Sequence, residues 1–393
     1  MRLTREQLQA VMKKYNVGKL YSWSKVNCFM ISPYEYYLKY ILHAKEDIDN
    51  CAYAPMGGIC HQIIEDYYSD KIDYGTMLEN FNDGWTTAIE IADLKFDRND
   101  ETKNENIREK YKYNLEHFFK THNSLKGDGE IFLEMFMTTR IGSSVLQGYI
   151  DAIVKDKDEN YTIIDWKTSS KYTGKTAEEK CGQLVVYALG LNQKGIPFDK
   201  IRICWNFLKY VTIQYQQKNG TIKTRDVERC KIGESLQSNV KTWLRYFGYD
   251  VDEYLKQLLD TNDISCLPDE VKEKYVISDC YIYVPITDKL IHTWTDTITA
   301  TIKDIELREA DYEKYKNSNL FWDSDESVKS QSYYFATLCG YSANLHAPYK
   351  CYLEKLDASK NGYDMFTIPL IPSDCTSKSN SVDKDDLSWL DSL

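Results

Sequence analysis

Three short stretches hold side chains that could do chemistry together. Gly148-Tyr149-Ile150-Asp151 is followed by Ile163-Ile164-Asp165-Trp166-Lys167-Thr168, and then by Gln183-Leu184-Val185-Val186-Tyr187. Strand side chains alternate, so Asp165 and Lys167 share a face, and Asp151 can meet them from a neighbouring strand. Two carboxylates and an ammonium converging at one sheet end are costly unless a divalent cation joins them. Mg2+ or Mn2+ needs hard oxygen ligands and few protein groups. Such an ion polarises a phosphate and lowers the pKa of a bound water. The lysine can stabilise the attacking hydroxide or the charge developing on phosphorus. The chemistry such an arrangement would support is metal-assisted phosphodiester hydrolysis. A lone Asp-x-Lys is most often a solvated strand face. Here the acid sits among Ile163, Ile164 and Trp166, and the three stretches follow in a fixed order, which carries more weight than any one of them.

The elements that must position these residues can be read along the chain. Residues 1–20 read as a short amphipathic helix with Leu8, Val11 and Met12 on one face. Residues 32–43 have Ser32 at an N-cap and Pro33 at the first helical position. A helix follows Gly57-Gly58 and puts His61, Glu65 and Tyr68 on one face. Residues 75–122 read as two helices broken within 97–106. Strands are expected at 131–139, 144–155 and 161–167, the last two joined by a turn-rich hairpin loop at 156–160. Helix 176–194 follows, then strands 199–207 and 210–217, with a hairpin at Asn219-Gly220. Residues 234–320 read as mostly helical, and 374–393 as a disordered polar tail.

Composition narrows the class. The 393 residues fit two to three domains or one core with large insertions. No run of about 18 apolar residues occurs, so no membrane span is expected. The N-terminus lacks an apolar signal segment, which makes the expected location cytoplasmic. A net charge of -11 argues against coating nucleic acid by bulk charge and leaves room for a local basic cleft. The 32 tyrosines are spread along the chain, which fits compositional drift better than one stacking site. The 11 cysteines have no Cys-x-x-Cys spacing and read as free thiols.

In this order the motifs resemble the nuclease core of the PD-(D/E)XK superfamily, specifically its RecB-like branch of recombination and phage nucleases. The resemblance covers about 20–210, with a weaker echo near 333–351. It rests on Asp151, on Asp165-Trp166-Lys167, on Gln183 and Tyr187, and on Gly57, His61 and Glu65 in a Gly-x-x-x-His-x-x-x-Glu helix. Ser22-Trp23-Ser24-Lys25 and the stretch from Ser32 to Tyr40 are similar as well. The resemblance implies an α/β fold, a central mixed sheet flanked by helices, with helical insertions. Its implied organisation is an N-terminal helix at 1–20, a nuclease core at 21–230 with a helical insert at about 70–125, a mainly helical region at 231–373 packing back on the core, and a tail at 374–393.

The resemblance also implies roles. His61, Asp151, Asp165 and the Trp166 carbonyl would hold Mg2+ or Mn2+. Lys167 would position or activate water, and Gln183 and Tyr187 would orient the lysine and the DNA backbone. Glu65 would sit behind the ligands, and Glu134, an acid on the preceding strand, is read as structural. Many relatives in this branch hold an iron–sulfur cluster. Here Ala336 and Leu345 stand at two of its cysteine positions, Cys339 alone remains of the late set, and no cluster is expected, with Cys28 and Cys351 as the only substitutes.

The implied activity is a metal-dependent DNA exonuclease in recombination, repair or replication. Two alternatives stand beside it: a non-catalytic DNA-binding or scaffold protein on the same fold, and an enzyme cutting structured DNA or RNA. Lys167, Lys171, Lys175 and Lys180 could track phosphates or line a solvated loop. The segment 383–393, acidic with apolar positions, could dock on a replication or recombination protein or simply aid solubility.

Overall fold

A computed structural model describes residues 3–46, 50–322, 334 and 338–341. The chain forms two compact units. The first comprises the residues before Ser24 and those from 50 to 299. It opens with helix α1 (Arg5–Tyr15), closed at its start by a reciprocal cap between Thr4 and Gln7, and strand β1 (Tyr21–Ser22). Next along the chain, helix α2 (Trp23–Ile31), from Ser24 onward, and helix α3 (Pro33–Tyr36) belong to the second unit, α3 being capped by Ser32 and continued by a π-helical turn to Ile41. Then come α4 (Tyr53–Tyr68), α5 (Tyr74–Trp85) and α6 (Glu101–Thr121). Strands β2 (Glu130–Ile141), β3 (Ser144–Lys155) and β4 (Tyr161–Lys167) follow. Two helices, α7 (Lys175–Lys180) and α8 (Gly182–Gln193), lead to strands β5 (Ile201–Gln216) and β6 (Ile222–Glu228). After α9 (Ile232–Phe247), α10 (Val251–Thr261) and α11 (Asp269–Lys272), strand β7 (Tyr275–Val284) joins the sheet, and α12 (Asp288–Tyr315) follows.

The seven strands among the described residues form one mixed sheet, as the α/β expectation required. β3 is antiparallel to β2 along its whole length. On its other side β3 meets two partners, β1 at Leu146 and Gln147 and β4 from Ala152 onward. Residues 148–151 therefore face a gap between β1 and β4. β4 leaves β3 after Ile164 and runs on beside β5, with Asp165 paired to Trp205 and Lys167 to Phe207. The sheet splays open where the acidic residues stand.

One face of the sheet packs on α4, α5 and α6 through a core that includes Ile64, Phe81, Trp85, Phe118, Ile164 and Trp166. A second core joins Val211, Ile213 and Tyr215 of β5 to Leu236, Val240 and Leu244 of α9. Burial of this kind, at about 25 cal/mol per Å2, is what holds the layers together.

The element boundaries correct the sequence reading in four places. α4 begins at Tyr53, so Gly57 and Gly58 lie inside it. The helix expected over 176–194 is broken at Cys181. The two strands expected at 199–207 and 210–217 are one, β5; the irregularity falls in its pairing with β7, where residues 207–210 stand opposite Cys280 alone. The stretch expected to be mostly helical contains β7, antiparallel to β5.

The second unit includes residues 24–46 and 300–322. Its described residues pack aromatically: Tyr37 stacks on Phe321 and meets Tyr312 edge-on, and Tyr36 donates a hydrogen bond to Glu309 at 2.8 Å. Cys339 is buried, and the nine described cysteines are free thiols. Ala336, Leu345, Cys351 and the tail 374–393 lie outside the described residues.

Candidate active site

The splayed end of β4 brings five of the expected residues together. His61 approaches from the middle of α4, and its Nε2 lies 2.7 Å from the Trp166 carbonyl oxygen. Its Nδ1 stands 3.4 Å from Asp151 Oδ2. The Trp166 amide donates to the same Asp151 oxygen at 3.1 Å. Lys167 Nζ is 2.6 Å from Asp165 Oδ2. Asp165 is buried at 3 % side-chain exposure, and Lys167 reaches solvent at 28 %.

The electrostatics follow from this crowding. Burial, and then the charge of Asp165, push the Asp151 carboxyl up to about 6 against the opposing pull of His61 and Lys167. Burial alone would lower the Lys167 ammonium, but the Asp165 and Asp151 carboxylates outweigh it and hold its pKa above the ordinary value.

Gln183 and Tyr187 sit one helical turn apart on α8. Gln183 Nε2 donates to the Tyr187 hydroxyl at 3.2 Å, which donates to the Tyr149 carbonyl at 2.7 Å. The pair therefore braces β3 two residues before Asp151. Gly148 makes this possible: a Cβ there would lie 3.0 Å from the Tyr187 ring and 3.1 Å from its hydroxyl. Glu65 points elsewhere, toward Lys71 at 3.7 Å. Of the lysine strip, Lys171 is paired with Asp226 and Lys175 with Glu179.

One residue was read as structural in the sequence, and one feature went unread. Glu134 lies between the Leu133–Ala152 and Met135–Ile150 pairs, level with Asp151, and has a left-handed φ of 45° in mid-strand. Its charge adds to the upward pressure on Asp151. Such strain in a non-glycine residue clusters at functional sites; the available signal was an acid inside an otherwise apolar strand. The unread feature lies on the other face of β4. Tyr68 hydrogen-bonds His122 at 2.7 Å, His122 meets Asp279 at 2.7 Å, and Asp279 meets Arg229 at 2.5 Å, all buried.

Among the described residues, no three His, Cys, Asp or Glu side chains stand ready-made as a metal cage. Most of the donor set nevertheless suits a hard divalent ion, two carboxylates and a carbonyl, while the His61 imidazole is the softer donor among them. The His61 nitrogen and the Trp166 oxygen are spaced about as two adjacent ligands of such an ion would be, roughly 3 Å apart. Among the described residues no hydrogen-bond donor is aligned on Asp165 Oδ2, although Lys167 neutralises it.

Comparison with known proteins gives the class. Residues 21–270, well over half of the chain, match the PD-(D/E)XK nuclease superfamily. The chain belongs to that superfamily, and the match spans every one of the site residues above. No curated protein matches. Among solved structures, the crystal structure of SSO0001 is similar at 14% identity over 50% of this chain and 75% of its own, with a TM-score of 0.17, too low to carry an argument. No described helix is long and apolar enough to cross a membrane.

Proposed function

We propose that this protein is a Mg2+- or Mn2+-dependent deoxyribonuclease, acting as an exonuclease in DNA recombination, repair or replication. The observation that carries the reading is the meeting of His61, Asp151, Asp165 and Lys167 where β4 leaves β3. In this reading His61, Asp151, Asp165 and the Trp166 carbonyl hold the ion, which supplies Lewis acidity and an activated water. Asp151 is held in place by the Trp166 amide. Lys167 presents positive charge to the phosphoryl oxygens where charge builds in the transition state. Gln183 and Tyr187 keep β3, and with it Asp151, in register. The RecB-like branch rests on the order of the motifs, and a phage or bacterial source on the composition. A replication or recombination protein as partner of segment 383–393 rests on the sequence of that segment.

The test is degradation of end-labelled single- and double-stranded DNA, with free and blocked ends, in Mg2+, Mn2+ or EDTA. The expected result is stepwise loss from free ends with metal only, and a drop of at least about a hundredfold in Lys167→Ala. Binding without cleavage in every metal would mark a scaffold. Cutting of end-blocked DNA would mark an endonuclease, and preference for RNA would move the substrate class.

A further inference from the structure

The acidic chain concentrates positive charge and exposed aromatic rings at one place. The β5–β6 hairpin, residues 217–225, carries Lys218, Lys223 and Arg225 and no acid. The end of α9, residues 241–248, carries Lys241 and Arg245 and again no acid. The two segments are joined by Trp243, whose indole donates to the Gln216 carbonyl at 2.9 Å. Around it stand Tyr246, 59 % exposed, and Phe247, 37 % exposed, each within 6 Å of the Trp243 ring centre. Lys218 lies over Tyr246 at 5.4 Å, and Lys274 over both Trp243 and Phe247 at 5.2 and 5.9 Å.

Exposed rings flanked by lysines are the chemistry that holds single-stranded nucleic acid. The rings stack on bases of any sequence and the cations meet the phosphates. A neutral apolar partner would leave those cations unanswered; of the acids that precede Lys274, Asp269 is paired with Lys272 and Glu270 accepts from the Tyr249 hydroxyl, and Glu273 adjoins Lys274 in sequence. We propose that Tyr246, Phe247, Lys218 and Lys274 form an accessory surface that binds a single-stranded flank of the polynucleotide. The inference deepens the proposed function and rests on a polynucleotide being the ligand.

β5 sets its distance from the chemistry. Trp205 pairs with Asp165, and the eleven residues from there to Gln216 span at most about 36 Å at roughly 3.3 Å per residue. Only a strand long enough to span that distance can engage the site and this surface together.

The experiment measures binding of labelled oligothymidylate, about thirty and about four nucleotides long, to the full chain in EDTA across a salt series. Tyr246→Ala/Phe247→Ala should weaken the long oligomer at least about tenfold. Lys218→Ala/Lys274→Ala should flatten the slope of log K against log salt by about 1.4, roughly 0.7 for each phosphate that is no longer neutralised. Both should weaken the short oligomer less, because it cannot bridge this surface and the site. Lys218 is at an exposed hairpin tip, so Lys218→Ala alone tests the proposal without risk to the fold, with half that change in slope. Wild-type affinity and slope in these variants would overturn it. So would a change in sedimentation with DNA binding intact, which would mark a self-association face. Binding that responds as expected in a protein that cuts nothing would sustain this surface and refute the nuclease reading.

Discussion

The phenol ring of Tyr68 lies parallel to the indole of Trp166, 7° apart with centres 6.1 Å distant. Trp166 gives its amide to Asp151 and its carbonyl to His61. The same Tyr68 hydroxyl meets His122, so the strand bearing the site rests on a buried polar network. Tyr68→Phe keeps the ring and removes the hydroxyl, leaving buried His122 Nε2 unanswered. The expected cost is about 1–3 kcal/mol with cleavage near wild type. Tyr68→Ala removes the ring as well, with an expected cost of about 3–5 kcal/mol and a drop in cleavage. Urea denaturation beside a cleavage assay separates the two effects.

The Asp279–Arg229 pair has side chains only 1 % exposed. Breaking such a pair strands a charge, at a cost of about 3–5 kcal/mol, whereas replacing both partners with apolar residues can be neutral. Arg229→Met and Asp279→Leu should each destabilise strongly, and the double variant less than either. A thermodynamic cycle by chemical denaturation checks this; additive losses would show that the pair is not coupled.

How much of this was legible depends on the range of the interaction. β3 and β4 were read correctly because a local turn, 156–160, joins two alternating strands. The motif residues were legible because their types and spacing are short-range signals. The His122–Asp279–Arg229 network was not, since its partners lie 157 and 50 residues apart. β7 was missed for a related reason. Its buried Asp279 and Cys280 make sense only beside Arg229 and β5, and they obscure the alternation of its other residues. Gly57 and Gly58 read as a helix boundary, but the packing of Met56, Cys60 and Ile64 into the core carries α4 through them.

His117 lies beside the same network, its Nδ1 3.2 Å from Arg229 Nη1 and 3.1 Å from the Thr121 hydroxyl. Burial, then the charges of Arg229 and Lys120 against the weaker pull of Asp263 and Asp279, lower its pKa to about 4 from an ordinary 6.5. The unfolded chain takes up a proton near pH 6.5 that the folded one refuses until about pH 4, so stability falls as pH drops through that window. Above pH 6.5 the group contributes no pH dependence. His117→Gln should flatten the decline in urea midpoint between pH 7 and 5; an unchanged decline would exonerate this residue.

Metal should act on stability as well as on activity. An ion bound by the folded state alone stabilises it by mass action, about 2.7 kcal/mol at a hundred times its Kd. Added Mn2+ should raise the melting temperature of the wild type, and Asp151→Asn should lose the rise. Lys167→Ala should keep it, because removing the ammonium leaves the carboxylates intact and more in need of a cation. An equal thermal shift in wild type and Asp151→Asn would place the ion elsewhere.

Gly148→Ala tests the brace beneath Asp151. The added methyl would sit 3.0–3.1 Å from the Tyr187 ring and hydroxyl, tighter than ordinary contact. Tyr187 must then move, and its 2.7 Å bond to the Tyr149 carbonyl lengthens or breaks. Overpacking of this kind costs about 1–3 kcal/mol. Because the displaced bond anchors β3 two residues before Asp151, activity should fall more than stability alone explains. Tyr187→Phe removes the same bond without the clash and should lower activity to a similar degree while costing less stability, about 0.5–1.5 kcal/mol. If Gly148→Ala loses activity and Tyr187→Phe does not, the clash rather than the hydrogen bond governs the position of Asp151.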